Sequence, residues 1–226
     1  MSDTSTPDVY AALAAWDTPA LSNAIGRLAV RPRNTGHSDG TVRRVVGPRL
    51  CGVAVTATLR SRDQGDDGVP IRELYQAVGT AAGPPVVVVV QDLDDPPGAG
   101  ALLGEVTGNI FRALGVAGYV TDGRVRDEAE LAELGLAVFA AGLCVSSSYV
   151  RVTAVNVPVR VAGLDVAPGD LLHGDQHGLL SVPRDVAGQL PEVAEQIRVG
   201  EQQTVSWTRS EDFSLEALLA RGQVRH

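Results

Sequence analysis

The chain has 226 residues, 44% of them hydrophobic and 20% charged, which is enough for one sizeable core. A formal charge of −8 argues against nonspecific binding to nucleic acid or to an anionic membrane, and two cysteines are too few for a disulfide framework. All 19 cationic residues are arginine, so Schiff-base catalysis and a lysine-dependent phosphate loop are excluded.

The first dozen residues are expected to be loosely held, with no cationic leader followed by an apolar run; a cytoplasmic address is the expectation. A helix is predicted from Thr18 as N-cap, with Pro19 in its first turn, through Leu28. Residues 31–49, rich in Arg, Gly and Pro, read as loop, and 51–59 as a strand of Val and Thr. After a turn-rich stretch at 61–68 comes a helix over 71–79. The valine run 86–90 lacks alternation, which predicts a strand buried on both faces and is too short to span a bilayer.

An Asp/Pro/Gly loop at 92–100 leads to a helix over 101–114, a strand at 118–121 and a short helix over 127–134. Strands near 137–142, 151–163 and 170–183 make the later region β-rich, with hairpin-like turns at Val157-Pro158 and 174–178. The chain closes in helices over 184–203 and 214–221, with Pro191 a break or a second start. The fold class is α/β: one domain with a central mixed sheet or flattened barrel.

The stretch GEVTGNIFRALGVAGYVTDGRVRD, 104–127, carries the chemistry. A helix of about eleven residues, a turn and a strand return the chain to its starting level, so Glu105 and the pair Arg126-Asp127 can meet at one end of a sheet. Two carboxylates and a guanidinium there suit a hard divalent cation and an anionic, oxygen-rich ligand. Taken singly, each residue has a plainer role: Asp127 as the N-cap of its own helix, Glu105 as a solvated helical residue, Asp122 as a turn residue. Gly98-Ala99-Gly100 and Gly104 loosely suggest a dinucleotide loop with Asp122 as its acid, but Asp92, Asp94 and Asp95 would repel a pyrophosphate. His173 and His177 read as a turn pair with structural hydrogen bonds rather than a zinc site, Ser146–148 as the polar end of a strand, and Trp16 and Trp207 as core or interface anchors.

Together, QDLDDPPGAG, ALLGEV, GVAGYVTDGRVRD and PGDLLHGDQHGLLSVP resemble the RraA-like family over about residues 15–200. Its most specific signature is an acidic residue, a gap of twenty and then Arg-Asp; many members have Asp where this chain has Glu105. The family includes class II 4-hydroxy-4-methyl-2-oxoglutarate aldolases that also decarboxylate oxaloacetate, and ribonuclease regulators without evident catalysis. The resemblance implies a swivelling β/β/α domain in trimers or dimers of trimers, with a site between subunits. It implies Asp127 as a holder of Mg²⁺ or Mn²⁺ largely through water, Glu105 as the residue that orients those waters, and Arg126 as the stabiliser of a pyruvate enolate. Amides of Leu103, Gly104 and Glu105 would receive the carboxylate of a 2-keto diacid, and Glu195 or Glu201 of a neighbouring subunit could complete the site. The regulator is the alternative, and a phosphohistidine carrier using His173 or His177 is a remoter one.

Overall fold

The computed structural model describes residues 8–81 and 83–221. The valine run forms β3 (Val86–Asp92), in which Val87 to Val90 are fully buried. It pairs in parallel with β2 (Leu50–Arg60) on one side and β4 (Val116–Thr121) on the other, and β5 (Ala137–Ala140) continues the parallel set. At that edge β1 (Arg43–Val46) adds an antiparallel strand. The free side of the eleven-residue β2 is shared. Its first residues pair antiparallel with β9 (Leu171–Asp175) and its last with β6 (Arg151–Val155), while β10 (Gly178–Val182) closes a hairpin on β9. The order β1-β5-β4-β3-β2-β9-β10, with β6 also on β2, is a mixed sheet curled into a half-barrel flanked by helices.

Because successive strand residues face opposite sides, the valines divide between two cores. Val86, Val88 and Val90 meet Leu74, Phe111 and Leu131 from α3 (Arg72–Thr80), α4 (Glu105–Ala113) and α5 (Glu128–Glu133). Val87 and Val89 meet a small hairpin, β7 (Val159–Val161) with β8 (Leu164–Val166), through Val159, Val161 and Leu164. Each buried valine contributes up to about 1.5–3 kcal/mol of transfer free energy, so a charge at Val88 would break both the strand and its cover. A third core, around Leu171, Leu180 and Val182, is covered by α1 (Val9–Ala14), α2 (Thr18–Leu28) and α6 (Leu190–Thr208). A last helix, α7 (Leu215–Ala220), is capped by Ser214; before it Trp207 packs edge-on against Phe213 with the Arg221 guanidinium over its ring.

Several elements depart from the sequence expectations. Residues 9–14 form a helix capped by Asp8, and residues 1–7, the rest of the stretch expected to be loose, lie outside the described residues, as do 222–226. The cap of α2 is Asp17, which accepts from Ala20 N–H, because the Thr18 hydroxyl is used elsewhere. Residues 43–46, expected as loop, form β1. Residues 101–104 are not helical: Ala101 N–H donates to Ser146 O and Leu103 O accepts from Arg126 N–H, so long-range pairing overrides local propensity. Val157-Pro158 is no hairpin; the turn lies at Ala162-Gly163, both with positive φ, as a two-residue hairpin requires. Pro191 is the second start, in the first turn of α6 after a 3₁₀ turn at 187–189.

Candidate functional site

Parallel pairing brings the carboxyl ends of β2 to β5 to one edge, where α/β sheets place their ligand sites. Loop 93–104 leaves β3 there, and loop 122–127 leaves β4. The second is fixed in its middle: Val125, fully buried, bridges Leu143 in parallel, donating to Gly142 O and accepting from Cys144 N–H.

Asp127 occupies the N-cap position of α5 but does not cap it with its side chain. Its backbone is left-handed (φ 58°, ψ 49°), a conformation that Asp tolerates better than most residues yet still at a cost. That twist turns the carboxylate to the other helix: Oδ2 accepts from Glu105 N–H at 2.9 Å and lies 3.6 Å from Arg126 Nε. The cap of α4 itself is Gly104, which has no side chain to offer, so Asp127 supplies one across the loop. A Cβ on Gly104 would lie 2.5 Å from Asp127 Oδ2 and 3.0 Å from Arg126 Nε; the site needs a bare backbone here.

Glu105, Arg126 and Asp127 are thus brought together, though not as two facing carboxylates. Glu105 meets Asp127 through its amide, and its side chain is exposed on the first turn of α4. Arg126 and Asp127 are half-buried, with 41% and 32% of their side chains exposed, so both remain open to a ligand. Of the three amides expected to receive a carboxylate, that of Glu105 is taken by Asp127, whereas those of Leu103 and Gly104 donate to nothing among the described residues. Among the described residues no group of three or more His, Cys, Asp or Glu side chains could hold a metal. One carboxylate with a second nearby suits an ion that keeps most of its water, as Mg²⁺ does.

Sequence reasoning missed what positions the first loop. Asp92, at the end of β3, accepts from Asp94 N–H at 3.0 Å and Gly98 N–H at 2.7 Å, and Asp122 accepts from Asp92 N–H at 2.8 Å. Asp94 in turn accepts from Ser61 N–H, Ser61 Oγ–H and Arg62 N–H. Burial raises the pKa of Asp92, with the Asp94 carboxylate adding to the rise, and burial pushes that of Asp122 up to about 6, with the Asp92 carboxylate adding to it. The aspartates of this loop therefore tie turns together. The dinucleotide reading fails on the same ground: helix α4 starts only at Glu105, five residues beyond Gly100, and the strands β5-β4-β3-β2 run in sequence without the reversal of order that such sites use.

His173 and His177 both make hydrogen bonds within the fold. His173 is fully buried, its Nδ1 3.0 Å from Thr18 Oγ1, and burial pushes its pKa down to about 4. Asp175, also fully buried, accepts from Thr18 N–H, His177 N–H and His177 Nδ1 at 2.8–3.1 Å. Burial opposes ionisation of Asp175, but these hydrogen bonds outweigh it and lower its pKa. A phosphoryl donor has no access to His173. Ser146–148, expected at a strand end, lie in the loop after β5, where Ser148 Oγ donates to Ala99 O. Trp16 packs at the edge of the third core. Glu195 is engaged by Arg198 within α6, and neither it nor Glu201 touches Arg126 or Asp127 among the described residues.

The chain matches the RraA-like (Aldolase/RraA) family over residues 18–180, and it belongs to that family. It is 30% identical over 121 residues to a Halalkalibacterium halodurans protein provisionally named 4-hydroxy-4-methyl-2-oxoglutarate aldolase, covering 53% of this chain and 54% of that one. A Thermus thermophilus 4-hydroxy-4-methyl-2-oxoglutarate aldolase is 37% identical over 89 residues, 39% of this chain and 54% of the relative. The chain thus spans about half the length of the curated relatives it matches. Streptomyces coelicolor RraAS2, described as an unusual member of the RNase ES inhibitor RraA family, shares the fold with a TM-score of 0.70 at 23% identity, over 90% of this chain and 98% of that one.

Proposed function

We propose that this protein is a divalent-metal-dependent carbon–carbon lyase. It cleaves 4-hydroxy-2-keto diacids to pyruvate by a retro-aldol reaction and decarboxylates oxaloacetate. The observation that carries the reading is the left-handed Asp127, whose carboxylate is turned from its own helix to Glu105 and Arg126 beside a bare Gly104. Residues held in this backbone region cluster at functional sites, and the half-buried polar surroundings of Asp127 support that reading.

Asp127, with Glu105 alongside, would hold Mg²⁺ or Mn²⁺ largely through water. Such an ion, when bound, supplies Lewis-acid polarisation of the 2-keto group. Arg126 forks the pyruvyl oxygens and stabilises the negative charge that grows on them as the carbon–carbon bond breaks; it cannot deprotonate, so it is a stabiliser and not a proton carrier. Leu103 and Gly104 N–H groups receive the substrate carboxylate. Glu105 orients the proton acceptor for the 4-hydroxyl. Lysine-free composition agrees with this chemistry, which needs no amine.

Homotrimers or dimers of trimers are part of the proposal, as is a single domain running the length of the chain. Val106, Val145 and Tyr149, 71%, 97% and 53% exposed, border this edge and favour cover by a second copy. A neighbour's Glu195 or Glu201 would then complete the site. No helix among the described residues is long and apolar enough to cross a membrane, and a cytoplasmic place of action is proposed.

The test is pyruvate release from oxaloacetate and 4-hydroxy-4-methyl-2-oxoglutarate. Turnover with Mg²⁺ or Mn²⁺ and its loss in excess chelator are expected. Absence of turnover on every 2-keto diacid, with metal present, would instead favour the non-catalytic reading, an RraA-type regulator that binds a ribonuclease.

A further inference from the structure

Arg124 and Arg126 flank Val125, the fully buried residue bridged to Leu143. Alternation about an extended, paired residue puts the two guanidinium-bearing side chains on the same, outward face of the segment. Burial raises the pKa of the Cys144 thiol, and the charges of both guanidiniums oppose that rise.

The two arginines differ in how they are engaged. Arg126 is paired with Asp127. Arg124 has no carboxylate partner among the described residues, yet it is held in place: Nη1 donates to Leu143 O at 3.2 Å. Its side chain also lies flat on Gly98, where a Cβ would come within 2.7 Å of Cγ and 2.9 Å of Nε. Gly98 has φ +91°, and its N–H is anchored on Asp92, so the surface beneath the guanidinium is fixed. A cation so placed, exposed and without a counter-charge, is prepared for an external anion.

Spacing names the anion. Two residues of extended chain advance about 6.5 Å. The terminal carboxyl carbons of a five-carbon diacid stand about 5 Å apart, from four zigzag bonds of about 1.5 Å. With its pyruvyl end on Arg126, a 2-keto diacid carries its far carboxylate toward Arg124, whereas a monoacid of equal length brings a methyl group.

We infer that Arg124 is the specificity-determining residue that binds the distal carboxylate of the substrate, selecting 2-keto diacids over 2-keto monoacids. The inference rests on the lyase reading for the placement of the pyruvyl end, but its test needs no turnover. Arg62 is the natural control. It too is held by a carbonyl, Pro96 O at 2.6 Å, but it follows β2, on the opposite side of β3 from β4 and Arg124.

Calorimetric titration in Mg²⁺-containing buffer compares 2-oxoglutarate with 2-oxopentanoate, which has a methyl group in place of the distal carboxylate. The wild-type protein should bind the diacid about tenfold or more tightly than the monoacid, as expected for a charge-assisted fork. Arg124→Leu should bring the diacid down to the monoacid's affinity, Arg124→Lys should recover part of the difference, and Arg62→Leu should preserve it. An equal loss for both ligands in Arg124→Leu, no preference in the wild type, no binding of 2-oxoglutarate, or a preference that disappears with Arg62→Leu each overturns the inference. Failure of the wild-type protein to release pyruvate from any diacid removes the lyase reading alone, because the affinity ratio is measured independently.

Discussion

Two corners of this molecule hold ionisable side chains at the ends of strands, and they use them in opposite ways. At the start of α2, Asp175 and His173 are fully buried and pinned to Thr18 and His177. At the carboxyl edge of β3 and β4, Asp127 and Arg126 stay half-exposed, and Asp127 adopts a left-handed backbone in order to face away from its own helix. Burial with internal partners marks a brace; exposure with strain is what the proposed ligand site calls for. Histidines attract attention in a sequence as catalysts, yet here His173 and His177 are tied to Thr18 and Asp175 while the Arg126-Asp127 pair is open.

Substitutions should separate the two corners. The largest effect is expected for Asp127→Ala, with at least about a 100-fold fall in turnover and an unchanged circular dichroism spectrum. Next, Asp175→Ala should lower stability by about 2–3 kcal/mol in denaturant unfolding, because it strands the Thr18 and His177 N–H donors, while activity per folded molecule stays within twofold. Equal damage to activity from both substitutions would erase the distinction. Gly104→Ala should cost about tenfold in turnover with little change in melting temperature, since its Cβ would intrude on Asp127 Oδ2 and Arg126 Nε.

The smallest effect concerns Asp122, whose pKa burial raises to about 6. The folded state holds this proton more tightly than the unfolded chain, so the contribution of Asp122 to stability declines as pH rises from about 4 to 6, and above that an ionised, partly buried carboxylate remains. Asp122→Asn keeps an acceptor for Asp92 N–H. It should therefore stabilise the protein at pH 7–8 by on the order of 1 kcal/mol, solvent screening of the partly exposed group included, and do little near pH 4. Melting curves across that range would show it.

Much of the scaffold could be read from sequence because its signals are local. The unalternating valines of β3 announce burial on both faces, and the turn at 174–178 announces the β9–β10 hairpin. The Arg126-Asp127 pair and Glu105 were also legible, through their spacing. What escaped depends on contacts between segments distant in the chain. The pairing of 101–104 with Ser146 and Arg126 shortens α4 at its start, and the service of Asp127 to a helix other than its own follows from that shortening. Asp92 is a different case: its amide partners Asp94 and Gly98 are local, but the loop shape that brings them to its carboxylate is announced by no motif. Arg124 could have been noticed: the alternation in Gly-Arg-Val-Arg-Asp already places two guanidiniums on one face once Val125 is taken as buried.

Asp127 is proposed to seat a divalent cation beside Arg126. Titration of Mn²⁺ into the chelator-stripped protein, followed by calorimetry for wild type and Asp127→Ala, tests it most directly. Saturable binding that weakens at least about tenfold in the variant is the predicted result. Equal affinity in the two proteins, or no binding to the wild type, would contradict it.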